Sequence, residues 1–228
     1  MFYGVINEGY IFDSKDIKYQ VEAFEQGKVK ALFVTGQSGS GKSTLAHKYE
    51  KELGINCYEL DDINYNYKFT DEQLKEYGKE LYDFLTGPGK KFRITEEQAK
   101  RLDQENETME KTLGWKADEL CAAFIKYLLS KNTRCIVEGV NIFFALKSGY
   151  LKPEDFKNSA VIIKGTSMVK SMKRAWDRDF GKDTPEDYKL KGAKETFEVF
   201  VARLKFALQS ENALKKVRKQ YKKKDKNE

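Results

Sequence analysis

An α/β fold, a parallel sheet flanked by helices, is what this sequence predicts, on two observations. Four short apolar segments, Ala31–Thr35, Ile55–Leu60, Arg134–Glu138 and Ala160–Lys164, each lead into a loop and then a helical spacing of apolar residues. A glycine-rich loop also stands between the first of them and the helix that follows. Strands of a parallel sheet are covered on both faces by their crossover helices, so they read as continuous apolar runs, as these four do.

The elements follow in chain order. Val5-Ile6 and Tyr10-Ile11-Phe12 flank Asn7-Glu8-Gly9 and predict a small hairpin, with a helix near Ser14–Gln26 after it. Residues 61–133, between the second and third strands, are too many for a plain crossover. Their apolar spacing at Leu74, Tyr77, Leu81 and Leu85, and again at Leu120, Phe124, Tyr127 and Leu128, predicts a helical insertion. Gly87-Pro88-Gly89 should end its first helix, and the polar stretch Glu96–Lys111 is either a third exposed helix or a mobile segment. Past Pro185, the spacing of Phe197, Phe200, Val201, Leu204 and Leu208 predicts one buried helical face, so the C-terminus reads as helical. The expected organisation is a single domain over 1–214, with an N-terminal extension at 1–27, the helical insertion at 68–133 and a lid at 165–184. A basic tail follows at 215–228.

The glycine-rich loop is Gly36-Gln37-Ser38-Gly39-Ser40-Gly41-Lys42-Ser43, continued by Thr44. This Gly-x-x-x-x-Gly-Lys-Ser pattern, between an apolar strand and a helix start, is that of a phosphate-binding loop (P-loop). Glycines let successive backbone N–H groups face a phosphate, and the helix that opens near Lys42 adds its positive end. Lys42 is expected to bridge β- and γ-phosphates of ATP, Ser43 to ligate Mg²⁺ and Thr44 to assist with phosphate. His47, one turn into that helix, reads as a packing residue.

Ligands of a parallel sheet bind outside the carboxyl ends of its strands, so residues just past each strand face the same crevice. The second strand ends at Glu59-Leu60-Asp61-Asp62 and the third at Val137-Glu138-Gly139. The fourth leads through Gly165-Thr166-Ser167 to a helix carrying Lys173, Arg174 and Arg178. Phosphoryl transfer needs a carboxylate at the attacking hydroxyl, another at Mg²⁺ or its waters, and cations on the transferred group. Asp61, Asp62 and Glu138 are candidates for the first two duties, with Ser43, Asp61 and Glu138 as the metal set and Asp62 favoured over Asp61 as base. Arg174 and Arg178, four apart, share a helix face suited to phosphates. Tyr65, Tyr67 and Phe69 could stack on an acceptor base or belong to the core.

From Lys30 to Phe180 these residues resemble the P-loop nucleoside and nucleotide kinase group, uridine-kinase-like with zeta-toxin-like kinases as neighbours. Gly36–Thr44 matches its phosphate loop. Leu60-Asp61-Asp62-Ile63 looks like the segment whose aspartate is base or acceptor-binding residue, Ile136-Val137-Glu138-Gly139 like its third-strand ending, and Met172–Asp179 like its lid helix. The resemblance implies a P-loop NTPase-type parallel sheet and an ATP- and Mg²⁺-dependent kinase. It also implies a small hydroxyl or phosphate acceptor, a nucleoside or nucleotide, bound near the insertion. Two departures accompany it: no fifth parallel strand follows the lid, and Met1–Gly27 has no counterpart in the group.

A polynucleotide 5′-hydroxyl acceptor, drawn by the basic tail, and a nucleotide-sugar acceptor are alternatives. So is a P-loop ATPase acting as a switch without an acceptor, although no Asn-Lys-x-Asp or Leu-Ser-Gly-Gly-Gln element is present. Lys215, Lys216, Arg218, Lys219, Lys222, Lys223, Lys224 and Lys226 carry most of the net charge of +6. No apolar run approaches the roughly 18 residues of a membrane span. Met1 to Asp13 hold no basic region followed by an apolar stretch, so export is not expected, and Cys57, Cys121 and Cys135 suggest neither a disulfide framework nor a zinc site. The expectation is a cytoplasmic protein with no membrane partner.

Overall fold

The computed structural model describes residues 4–7, 10–13, 17–37, 39–104, 109–156 and 159–164, together with single helical positions between 170 and 216. Among the described residues six strands form one sheet: β1 (Gly4–Asn7), β2 (Tyr10–Asp13), β3 (Ala31–Gly36), β4 (Cys57–Glu59), β5 (Cys135–Glu138) and β6 (Ser159–Lys164). Their order is β2-β1-β6-β3-β5-β4. The last four are mutually parallel, and β1 pairs antiparallel with both β2 and β6. The predicted hairpin therefore extends the sheet beyond β6.

Alternate residues of the parallel strands enter two separate cores, as the period of a strand requires. Ala31, Phe33, Cys135, Val137, Val161 and Ile163 face one, and Leu32, Val34, Ile136, Ala160 and Ile162 the other. The second core is closed by α1 (Ile17–Glu25) through Val21 and Phe24 and by α2 (Lys42–Leu53) through Ala46 and Tyr49. The first is closed by the insertion helices and by the helix that follows β5.

The second predicted strand is shorter than its apolar run. It stops at Glu59, and a four-residue helix, α3 (Leu60–Ile63), begins at once. Asp61 and Asp62 disfavour an extended strand and suit the first turn of a helix, where the backbone N–H groups are unpaired. The insertion continues through α4 (Asp71–Tyr77), α5 (Lys79–Thr86), α6 (Glu96–Gln104), α7 (Met109–Leu113) and α8 (Ala117–Ser130). What the spacing presents as one helix from Leu74 to Leu85 is thus two, broken at Gly78 well before Gly87. A Cβ at Gly78 would lie 2.6 Å from the Tyr58 ring, so the break lets that ring pack against bare backbone. Glu96–Lys111, left open between helix and mobile segment, falls in α6 and α7, with 105–108 outside the described residues.

Two tyrosines tie the insertion to β4. The Tyr58 hydroxyl donates to Glu80, and Tyr77 both accepts from the Glu59 N–H (2.9 Å) and donates to its carbonyl (3.2 Å). Helix α9 (Asn141–Ser148) follows β5 directly. In the C-terminal segment the predicted buried face is corrected at Leu208, which is 42% exposed, whereas Ala213 is buried in the first core. Periodicity fixes which side of a helix is apolar, not how far the rest of the fold extends beneath it. Pro185, Phe197 and Phe200 lie outside the described residues. Among the described residues no helix is long and apolar enough to cross a membrane.

Candidate functional site

The loop between β3 and α2 is built by close approach to the end of β6. A Cβ on Gly36 would collide with the Lys164 carbonyl oxygen and lie 2.9 Å from Ser40 Oγ, so only glycine allows the three segments to meet. Gly41, the residue before α2, sits in the left-handed region (φ 79°), and its carbonyl accepts the N–H of Leu45. That turn starts α2 at Lys42 and aims its unpaired N–H groups into the loop. Gln37, Ser40 and Lys42 are buried. Among the described residues Ser40 Oγ has no hydrogen-bond partner, a buried hydroxyl that a bound oxyanion would satisfy.

Cations gather around this loop. Lys42 Nζ lies 2.7 Å from Glu138 Oε1, and both side chains are almost wholly buried. Lys164 Nζ donates to the Gly41 carbonyl (2.9 Å), and Arg174 donates to the Gly39 carbonyl (3.0 Å). The expected lid arginine thus meets the loop, while its companion Arg178 lies outside the described residues, as does Ser38. Glu138, expected at Mg²⁺, is the partner of Lys42. It is positioned by β5, whose register sets Glu138 beside Val34, and by Thr35 Oγ1, which donates to the Gly139 carbonyl (2.7 Å).

An acidic group stands at the end of β4, on the far side of β5 from the loop. Asp61 Oδ1 accepts from Asn141 Nδ2 (3.2 Å), a buried amide at the start of α9 that sequence reasoning missed. The available signal was position: Asn141 stands just past the end of β5, on the edge where Glu138 was sought. Asp62 is an exposed residue, and the partial burial of its carboxyl, with Asp61 adjacent, pushes that carboxyl above its usual range. Burial together with the charges of Glu138 and Asp62 does the same to Glu59. Lys164 was missed likewise, although it is the last residue of the fourth predicted strand.

His47 is corrected from a packing residue to an exposed one. Its ring lies 2.9 Å from Glu50 through Nδ1 and 2.8 Å from Glu59 through Nε2. A helix position one turn in can face either way, and here the two carboxylates hold it outward. The hydrogen bond to Glu50 leads in raising its pKa above the ordinary 6.5. A raised folded-state value means the stabilisation is fully present below pH 6.5 and is lost as pH rises through the folded value. His47 is the only histidine, so its single imidazole NMR titration should show a midpoint above 6.5. A Glu50→Gln variant should bring that midpoint down; an unchanged midpoint would reject the pairing.

Ser43 and Thr44 occupy the second and third positions of α2, Ser43 half-buried and Thr44 exposed. Among the described residues no cluster of three or more His, Cys, Asp or Glu side chains forms a ready metal centre. Any Mg²⁺ site here would draw on the Ser43 hydroxyl and on nucleotide oxygens beside a carboxylate, the donor set of a phosphate-bound cation. Tyr65 is 51% exposed on the turn after α3, whereas Phe69 packs on the first core against Tyr77, and the Tyr67 side chain lies outside the described residues. No protein-family model matches the chain, and no curated protein matches its sequence.

Proposed function

We propose that this chain has a P-loop NTPase-type fold and is an ATP- and Mg²⁺-dependent kinase that phosphorylates a small hydroxyl-bearing acceptor, a nucleoside or nucleotide. One observation carries the reading. A glycine-rich turn, with a buried Ser40 hydroxyl that has no partner among the described residues, is ringed by Lys42, Lys164 and Arg174, and the carboxylates Asp61 and Asp62 follow the end of β4 on the same carboxyl edge of the parallel strands. Cations on the donor side and a carboxylate on the acceptor side are what in-line phosphoryl transfer requires.

Each residue then has a duty. The loop N–H groups and Lys42 hold the phosphates and offset the charge that develops on the transferred group, and Arg174 adds a second positive group. Glu138 keeps Lys42 aimed at the loop. Ser43 and Asp61 would hold Mg²⁺, which supplies further neutralisation of the phosphate oxygens. Asp62 orients the acceptor hydroxyl and takes its proton; its raised pKa makes it a stronger base than an ordinary carboxylate. Asn141 fixes Asp61 and so sets the two adjacent carboxylates in different surroundings. Tyr65, exposed beside this pair, offers a ring for an acceptor base.

The test is a panel of nucleosides, nucleotides, nucleotide sugars and 5′-hydroxyl oligonucleotides, each incubated with γ-labelled ATP and Mg²⁺. Label should pass to a nucleoside or nucleotide. Transfer only to oligonucleotides or only to nucleotide sugars would move the acceptor class, and release of label solely as inorganic phosphate would replace the kinase with an ATPase.

A further inference from the structure

The end of β6 brings a second lysine to the glycine-rich loop. Lys164 is the last residue of that strand, its own carbonyl packs where a Gly36 side chain would be, and its ammonium returns to the Gly41 carbonyl at 2.9 Å. A Cβ on Gly41 would lie 3.3 Å from the same ammonium, so the lysine head rests directly on the turn that opens α2. Arg174 reaches the neighbouring Gly39 carbonyl, close enough for the two positive groups to repel each other. Among the described residues neither forms an ion pair with a carboxylate, and the nearby Glu138 is already engaged by Lys42. The two like charges, Lys164 partly buried and Arg174 exposed, are held together on neutral carbonyls, which raises the energy of the ligand-free loop. A polyanion relieves that repulsion.

We propose that Lys164 is a specificity-determining residue of this site, exchanging its bond to the Gly41 carbonyl for one to the polyphosphate, so that nucleoside triphosphate is bound in preference to diphosphate. The proposal rests on the nucleotide-binding reading above. Of the three cations at the loop, Lys42 alone is paired with a carboxylate among the described residues, and the gain of the other two on binding an anion grows with the charge of the ligand. Burial and the nearby Arg174 hold the Lys164 ammonium below its ordinary pKa, consistent with a cation awaiting an anionic partner.

The experiment measures the dissociation constants of ATP and ADP, each with Mg²⁺, for the wild-type chain and for Lys164→Gln and Lys164→Arg, with thermal unfolding in parallel. Gln keeps a donor for the Gly41 carbonyl and removes the charge; Arg keeps the charge. For Lys164→Gln the ratio of ATP to ADP affinity should fall by about 10-fold or more, the scale of one charge-assisted hydrogen bond, with ADP affinity little changed. Lys164→Arg should retain most of the wild-type ratio. A lysine that merely braces the loop would, when replaced by Gln, weaken ATP and ADP equally and lower the melting temperature, and that result overturns the proposal. Unchanged ratios in a folded Lys164→Gln protein overturn it too, while leaving the nucleotide site standing. Absence of any nucleotide binding by the wild-type chain removes both.

Discussion

Lys42→Ala should reduce turnover by a factor of about 10²–10³ or more, because the proposed kinase would lose, from an almost wholly buried position, the charge assigned to the transferring phosphate. It should also lower stability, which the loop motif alone does not announce. Glu138 is only 2% exposed, and its partner at 2.7 Å is the Lys42 ammonium. Removing one member of a buried pair strands the other, at a cost of roughly 3–5 kcal/mol. The two effects separate in a double variant. Lys42→Met with Glu138→Gln removes both charges while keeping volume, so it should regain most of the lost melting temperature and none of the turnover. Activity restored along with stability would show that Lys42 acts only through folding, and unchanged turnover in a folded Lys42→Ala protein would end the phosphate-loop assignment.

The second large effect is expected at the aspartate pair. Asp62→Asn keeps the shape and removes the basic oxygen, so transfer should fall by about 10²–10⁴ while ATP affinity stays near wild type. Asp61→Asn should act differently. Its Oδ1 is held by Asn141, and the loss of its charge should raise the Mg²⁺ concentration needed for half-maximal activity without abolishing the maximum. Removing the Asp61 charge should also lower the Asp62 pKa, since that charge helps to raise it, and shift the acid limb of the rate profile to lower pH. Turnover across a Mg²⁺ series settles the assignment: a dead Asp61→Asn beside a metal-responsive Asp62→Asn reverses the two roles.

Much of this arrangement was readable from residue order, because its signals are local. The loop pattern is contiguous, the four parallel strands are apolar runs, and the hairpin is announced by Asn7-Glu8-Gly9 between apolar pairs. What escaped depends on which strands become neighbours. The meeting of Lys42 with Glu138 follows from the β3 to β5 register, in which Val34 stands opposite Glu138. Lys164 reaches Gly41 because β6 lies on the other side of β3, where Gly36 pairs with Lys164. His47 was read as packing because a helix position gives no sign of the carboxylates that a neighbouring strand will present. Gly78 divides a helix whose apolar spacing runs straight through it, for a reason that lies in the distant Tyr58 ring.

The pairing of Val5 with Ala160 bears on the order in which the molecule can assemble. During synthesis β1 emerges long before β6, and an isolated two-stranded hairpin is marginal in water. The hairpin must wait, unpaired on one side, until β3, β4 and β5 have been made and β6 has docked beside β3. Contacts that span so much chain close slowly, since a large loop must be ordered before any of them forms. Completion of the sheet is therefore expected to come late in folding. It coincides with the arrival of Lys164 at the loop, so a chain halted before β6 would present the glycine turn without the strand end that packs against it.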